Sequence, residues 1–186
     1  MIAAMAAPQV GEPMAETVHP REHPLLITLR DVISGDGFLA GVTLSGRALM
    51  RQEDGMWWMY GVRPAPIAES GGTIEEAFSR FRNKYKEVLF DFAQEVRDFD
   101  QFKASVERFF YEADQDSEDE QLWEQALKTI RTTKCAPPEP FAKLPREVAE
   151  SKPSQITVEL LNRADARFRP SDNITDTYSV PMAHAA

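Results

Sequence analysis

Apolar and polar residues begin to alternate at Leu25, with Leu25, Ile27 and Leu29 on one side and Thr28 and Arg30 on the other, which is the period of a half-buried strand. Ser34-Gly35-Asp36-Gly37 supplies residues that tolerate positive φ, and Phe38, Ala40, Val42 and Leu44 resume the alternation, so residues 25–44 read as a hairpin. Gly46 to Gln52 reads as a third strand, Glu53-Asp54-Gly55 as a tight turn, and Met56 to Val62 as a fourth strand. That fourth strand is apolar or aromatic on both sides, Trp58, Tyr60 and Val62 alternating with Trp57, Met59 and Gly61. It is either a central strand covered twice by the chain's own helices or a surface for a partner or a second copy, since aromatics and Met are enriched at interfaces. Pro64 and Pro66 end it, because proline has no N–H for the ladder.

The period then changes from two to 3.6. Ile74, Ala77, Phe78, Phe81, Tyr85, Val88, Leu89 and Phe92 fall on one helical stripe. Thr73 and Glu76 stand ahead of it at capping-box spacing, the hydroxyl accepting from a free N–H and the carboxylate reaching back to the cap's own N–H. Arg80, Arg82, Lys84, Lys86 and Glu87 read as the solvated face. A second helix is capped by Asp98 and Gln101, with Phe99, Phe102, Val106, Phe109, Phe110 and Ala113 inward. A third is capped by Ser117 and Glu120, with Leu122, Trp123, Ala126, Leu127 and Ile130 inward, and the acidic run 114–120 at its start meets the positive end of the helix dipole.

Together these elements predict an α+β fold: an antiparallel sheet of four to five strands packed against a long helix, then two further helices and an extended C-terminal segment. Residues 1–24 read as a loosely ordered arm, 25–133 as the core domain, and 134–186 as a Pro-rich connector and tail in which Phe141, Leu144 and Val148 are anchors. Within the last part, Ile156, Val158 and Leu160 alternate as an edge strand, Asn162 to Phe168 form a short helix, and the final sixteen residues form a tail.

Charge narrows the partners. Thirty acidic residues against twenty-one basic ones give a formal charge of −9, which opposes phosphate backbones and anionic lipid and attracts a basic partner. No apolar run approaches the roughly 20 residues of a spanning helix, and the single Cys135 reads as a linker thiol in a cytoplasmic, reducing setting. His19, His23 and His184 fall in the predicted arms, without the spacing of a zinc site. Gly71-Gly72 lacks the Lys-Ser of a phosphate loop and serves to ease the corner before the cap. No catalytic group, metal or cofactor is expected.

Residues 47–94 bring together Glu53-Asp54-Gly55 at a hairpin, Tyr60-Gly61-Val62-Arg63-Pro64 at a strand end and Gly72-Thr73-Ile74-Glu75-Glu76-Ala77 at a helix start. This β-β-β-α order resembles the HicB-like antitoxin domain. The resemblance implies a fold like the double-stranded-RNA-binding domain and a non-enzymatic protein that neutralises a small basic ribonuclease toxin, often as an oligomer, with a separate DNA-binding module. The chain departs from that pattern in the preceding hairpin, in the Phe-rich helices that follow, in Ala65-Pro66-Ile67 at the corner, and in a region after Ile156 too short for a ribbon-helix-helix module. Nucleic-acid binding through this chain alone is therefore not expected. The expected contact surface is Trp57, Met59 and Arg63, with Asp114, Asp116, Glu118 and Asp119 as an electrostatic steering patch. The alternative is an accessory subunit of a larger assembly that wraps neighbours with its terminal arms.

Overall fold

A computed structural model describes residues 22–64, 66–112, 118–133, 139–161 and 176–182. The fold is α+β, a mixed seven-stranded sheet between helices on both faces. Strands β1 (Glu22–Ser34) and β2 (Leu39–Glu53) form its centre, pairing antiparallel from Glu22↔Arg51 to Ser34↔Leu39. Gly37, at φ 75°, closes this hairpin, and the consecutive positive φ of Asp54 (49°) and Gly55 (81°) turn β2 into β3 (Met56–Arg63). β4 (Ala68–Gly71) completes the meander and leads into α1 (Ile74–Glu95).

The strands expected from Phe38 to Leu44 and from Gly46 to Gln52 are one strand of 15 residues. Gly46 is needed for close approach rather than for a turn, because a Cβ there would lie 2.1 Å from the carbonyl oxygen of Arg63. At this point β2 changes neighbours: residues 47–53 pair with β3, and Ala40 to Ser45 pair with β6 (Gln155–Leu160). The late edge strand read from Ile156, Val158 and Leu160 is thus present. Beside β1 lies β7 (Thr177–Met182), and β5 (Arg146–Val148) pairs parallel to it. Residues 177–182 are accordingly part of the sheet and not of a free tail; Pro181 in the run obscures the alternation of Tyr178, Val180 and Met182.

Strand register assigns each side chain to a face. Leu25, Ile27, Leu29 and Ile33 align with Ala48, Gly46, Leu44 and Ala40 across the ladder, and Met50 aligns with Met59. This face is covered by α1 through Ile74, Ala77, Phe81, Tyr85 and Leu89, and by α2 (Phe99–Tyr111) through Phe102, Val106 and Phe110. The other face offers Leu26, Leu49 and Val62 to Trp123 and Leu127 of α3 (Glu118–Thr133).

The caps that open the first two helices are those the spacing predicts, with one change of partner. Thr73 Oγ1 accepts from the Glu76 N–H at 3.2 Å, whereas Glu76 Oε2 accepts from Gly72 N at 2.8 Å, one residue before the cap. Asp98 Oδ1 accepts from Gln101 N at 2.9 Å. Ser117 and the expected helix of residues 162–168 lie outside the described residues. Thr73→Ala is expected to cost about 1 kcal/mol, and Thr73→Ser to retain most of it. Calorimetric melting of the two variants checks this.

Candidate functional site

On the α3 side of β3, Trp58 and Tyr60 stack with ring centroids 6.0 Å apart and planes 22° from parallel. They stand two residues apart on one strand, so the pleat points both the same way. The Arg51 guanidinium sits 4.4 Å from the centroid of the Tyr60 ring, and Tyr60 OH donates to Glu53 Oε1 at 3.1 Å. Arg51 also pairs with Glu53. Met56 extends the row and is exposed, while Trp58 and Tyr60 are half-buried. These four residues, Met, Trp, Tyr and Arg, are the types most enriched where proteins dock.

One end of this strip abuts α3. Arg47 Nη1 donates to Glu120 Oε1 at 2.7 Å and to Glu124 Oε1 at 3.0 Å, and its guanidinium lies 4.4 Å from the Trp123 ring centroid. Arg63 reaches the same Glu120 at 4.0 Å. Burial pushes the Asp119 carboxyl above its ordinary value against the attraction of Arg51, and neighbouring Glu118 adds to the rise. Part of the acidic run thus lies against arginines of the chain's own sheet.

The residues expected to form the contact surface are distributed differently. Met59 is fully buried beneath the helices, so it is not available for docking. Trp57 shares its face and is half-buried: Phe141 meets it edge-on at 5.4 Å and in turn stacks on His23 at 4.0 Å. The cover for Trp57 comes from the Pro-rich segment, whose Phe141 is completely buried, and His23 belongs to β1 and not to an arm. Arg63 does face the α3 side but is engaged by Glu120. Glu118 is exposed and Asp119 half-exposed at the start of α3, whereas Asp114 and Asp116 lie outside the described residues. The neighbour that the sequence reading passed over is Trp58, which register places on the opposite face from Trp57.

A second polar cluster lies where α1 crosses β1. Arg82, read as a solvated residue, turns inward instead: Nη2 donates to Asp31 Oδ1 at 2.8 Å and to the Arg30 carbonyl at 3.1 Å, and Nε donates to Asp176 Oδ2. Asp176 Oδ1 accepts from the Arg30 N–H at 2.9 Å, so both backbone groups of Arg30 are satisfied by side chains. The Asp31 side chain is only 3% exposed. Burial raises its pKa, opposed by the hydrogen bond and charge of Arg82, while Asp176 raises it further and Lys86 lowers it. Tyr85 is buried alongside with its hydroxyl unpaired, and burial pushes that hydroxyl far above its ordinary pKa. The cluster ties α1, β1 and the start of β7 together.

Among the described residues no group of three or more His, Cys, Asp or Glu side chains stands close enough to hold a metal ion. No helix among them is long and apolar enough to cross a membrane. No family model matches the chain, and comparisons with curated proteins and with solved structures find no match.

Proposed function

We propose that this chain is a non-enzymatic docking protein whose contact surface is the strip of Met56, Trp58, Tyr60 and Arg51, with the acidic start of α3 beside it. The observation that carries the reading is the stacked Trp58–Tyr60 pair, held half-exposed on a rigid strand and topped by an arginine. Rigid aromatics lose little entropy when a partner covers them, and Trp, Tyr and Arg dominate binding energy at protein interfaces. Glu118 and Asp119 flank the strip, and the formal charge of −9 steers basic partners toward the molecule.

Among docking proteins, an antitoxin-type binder of a small basic ribonuclease fits these features best. Residues 47–94 have the strand, strand, strand, helix order that the HicB-like resemblance implies, with the capping box at the helix start. The charge balance favours a basic partner in the same direction.

Trp58→Ala is expected to weaken such a partner at least tenfold, in line with the roughly 2 kcal/mol that defines an interface hot spot, with the thermal transition of the free protein kept. Titration calorimetry of the full chain against a basic ribonuclease captured on it measures the loss. Equal binding by the variant, or the absence of any basic ribonuclease among captured proteins, overturns the reading.

A further inference from the structure

Three edges of the sheet are treated differently by the chain. β4 is four residues long, and Arg80 Nη1 from α1 donates to its Ser70 carbonyl at 3.1 Å. β5 has three residues, preceded by Pro145 and followed at once by a 3-10 turn (Ala149–Ser151). Where β7 stops covering β1, Asp176 and Arg82 take up the N–H and carbonyl of Arg30. Short length and side-chain caps are the ordinary defences of an edge that must not pair with another chain.

β6 has neither. It runs for six residues, Gln-Ile-Thr-Val-Glu-Leu, pairs with β2 on one side, and among the described residues has no strand on the other. It carries one charge, Glu159, and no proline or lysine. Leu160 at its end is 61% exposed, the most exposed large apolar side chain described. Beside it opens a concavity of about 600 Å³ lined in part by Phe38, Leu39 and Leu161.

We infer that β6 pairs antiparallel with β6 of a second copy of this chain, joining two sheets across a two-fold axis at Val158. In an antiparallel pair, residues sharing a face must sit opposite each other. Centring on Val158 satisfies this, because Ile156, Val158 and Leu160 share one face and Thr157 and Glu159 the other. Each exposed Leu160 then lies opposite Ile156 of the partner subunit, and each Glu159 opposite Thr157 of the partner subunit, so no like charges meet. The strand is self-complementary, as an isologous interface requires. Two copies at −9 each repel over most of their surface, and a strand with one charge in six residues lets them approach. The Trp58 strip lies along β3, which pairs with the other half of β2, so the dimer presents two strips without covering either.

Sedimentation of the full chain over a concentration series tests the pairing. The wild type is expected to shift toward twice the 21.0 kDa chain mass, whereas Leu160→Glu stays at monomer mass with an unchanged melting transition. Register is read in a Cys135→Ser background: Thr157→Cys mixed with Glu159→Cys yields a disulfide-linked dimer under mild oxidation, and neither variant alone does. A wild type that remains monomeric at every concentration overturns the inference. So does a dimer that persists in Leu160→Glu or fails to cross-link in the mixture.

Discussion

Replacing Arg82 with alanine is expected to destabilise the protein by about 3–5 kcal/mol, because it strips the partner from a carboxylate inside the fold. Asp31 lies on the core-facing side of β1, its side chain 3% exposed, and its second oxygen already has no partner. Arg82 supplies the first oxygen's hydrogen bond, neutralises Asp176 and caps the Arg30 carbonyl. For a chain of this size the loss corresponds to a fall in Tm of roughly 10 °C. The effect should depend on pH in a defined direction. Burial already raises the Asp31 pKa against Arg82, so removing Arg82 raises it further. A carboxyl whose native pKa exceeds its unfolded value favours the native state in its neutral form, so stability falls as pH rises through the native value. The Arg82→Ala deficit is therefore largest at neutral pH and shrinks as pH falls toward the unfolded value of about 3.9. Thermal melts of both proteins from pH 7 to pH 4.5 measure the difference. An equal deficit across that range would place the loss in packing and not in the orphaned carboxylate. Replacing Asp31 and Arg82 together by Leu and Met should recover much of the stability, since an apolar pair of similar volume imposes no charge burial.

That cluster also marks where local pattern stops being informative. The odd positions of β1 from Leu25 onward are Leu25, Ile27, Leu29, Asp31 and Ile33, and the acid in this apolar series is the sequence signal that a cation must arrive from elsewhere. The cation comes from a helix position between Phe81 and Tyr85, where a long side chain can fold toward the sheet or away from it. Helical period alone leaves that choice open. By contrast, the β-turn at Asp54-Gly55 and the helix start at Thr73 were legible because their determinants lie within four residues of one another. The strand division expected before Gly46 is absent for a related reason. Glycine serves both turns and close backbone contacts, and only the distant Arg63 carbonyl decides between them here.

The strip proposed for docking was half legible. The double aromatic character of β3 identified the strand, yet Trp57 and Trp58 are chemically alike, and the cover that separates them comes from Phe141, more than eighty residues away behind a Pro-rich segment. Likewise, the acidic start of α3 was read by itself, although Arg47 and Arg63 on the sheet are what it meets. Charge patterning along a chain gives the sign of a segment but not the chain's own segments that compete for it. This competition bears on the proposed function: a basic partner would find Glu118 and Asp119 at the rim, with Glu120 and Glu124 already engaged by arginine.

Trp123→Ala is expected to remove the α3 layer while leaving the α1 and α2 layer in place. Trp123 is the largest fully buried side chain; its Nε1 donates to the Leu25 carbonyl at 3.4 Å, and Arg47 lies over its ring. Truncating a buried tryptophan costs about 3–5 kcal/mol. What then holds α3 is Leu127 and Ala126 with the half-buried Leu122 and Ile130, and the ion pairs of Arg47 to Glu120 and Glu124 and of Arg131 to Glu150. The exposed pairs to Glu124 and Glu150 contribute about 0–1 kcal/mol each, and the part-buried Arg47–Glu120 pair loses the ring that Arg47 rests on, so they do not offset the loss. The aromatic core under α1 and α2 belongs to a separate cluster of buried residues, which α3 touches through the half-buried Ile130 and not through Trp123. Hydrogen exchange on the variant should therefore show amides of α3 losing protection while those of α1 keep it, with Leu26, Leu49 and Val62 newly open to solvent. Losing protection in α1 and α3 together would mean that the two faces fold as one cooperative unit. Undocking also frees Arg47 and Arg63 beside Trp58, turning the rim of the strip from acidic to basic. A basic partner should then bind the Trp123→Ala variant more weakly than the wild type even with Trp58 and Tyr60 untouched, and titration at two salt concentrations would separate that electrostatic loss from a loss of contact.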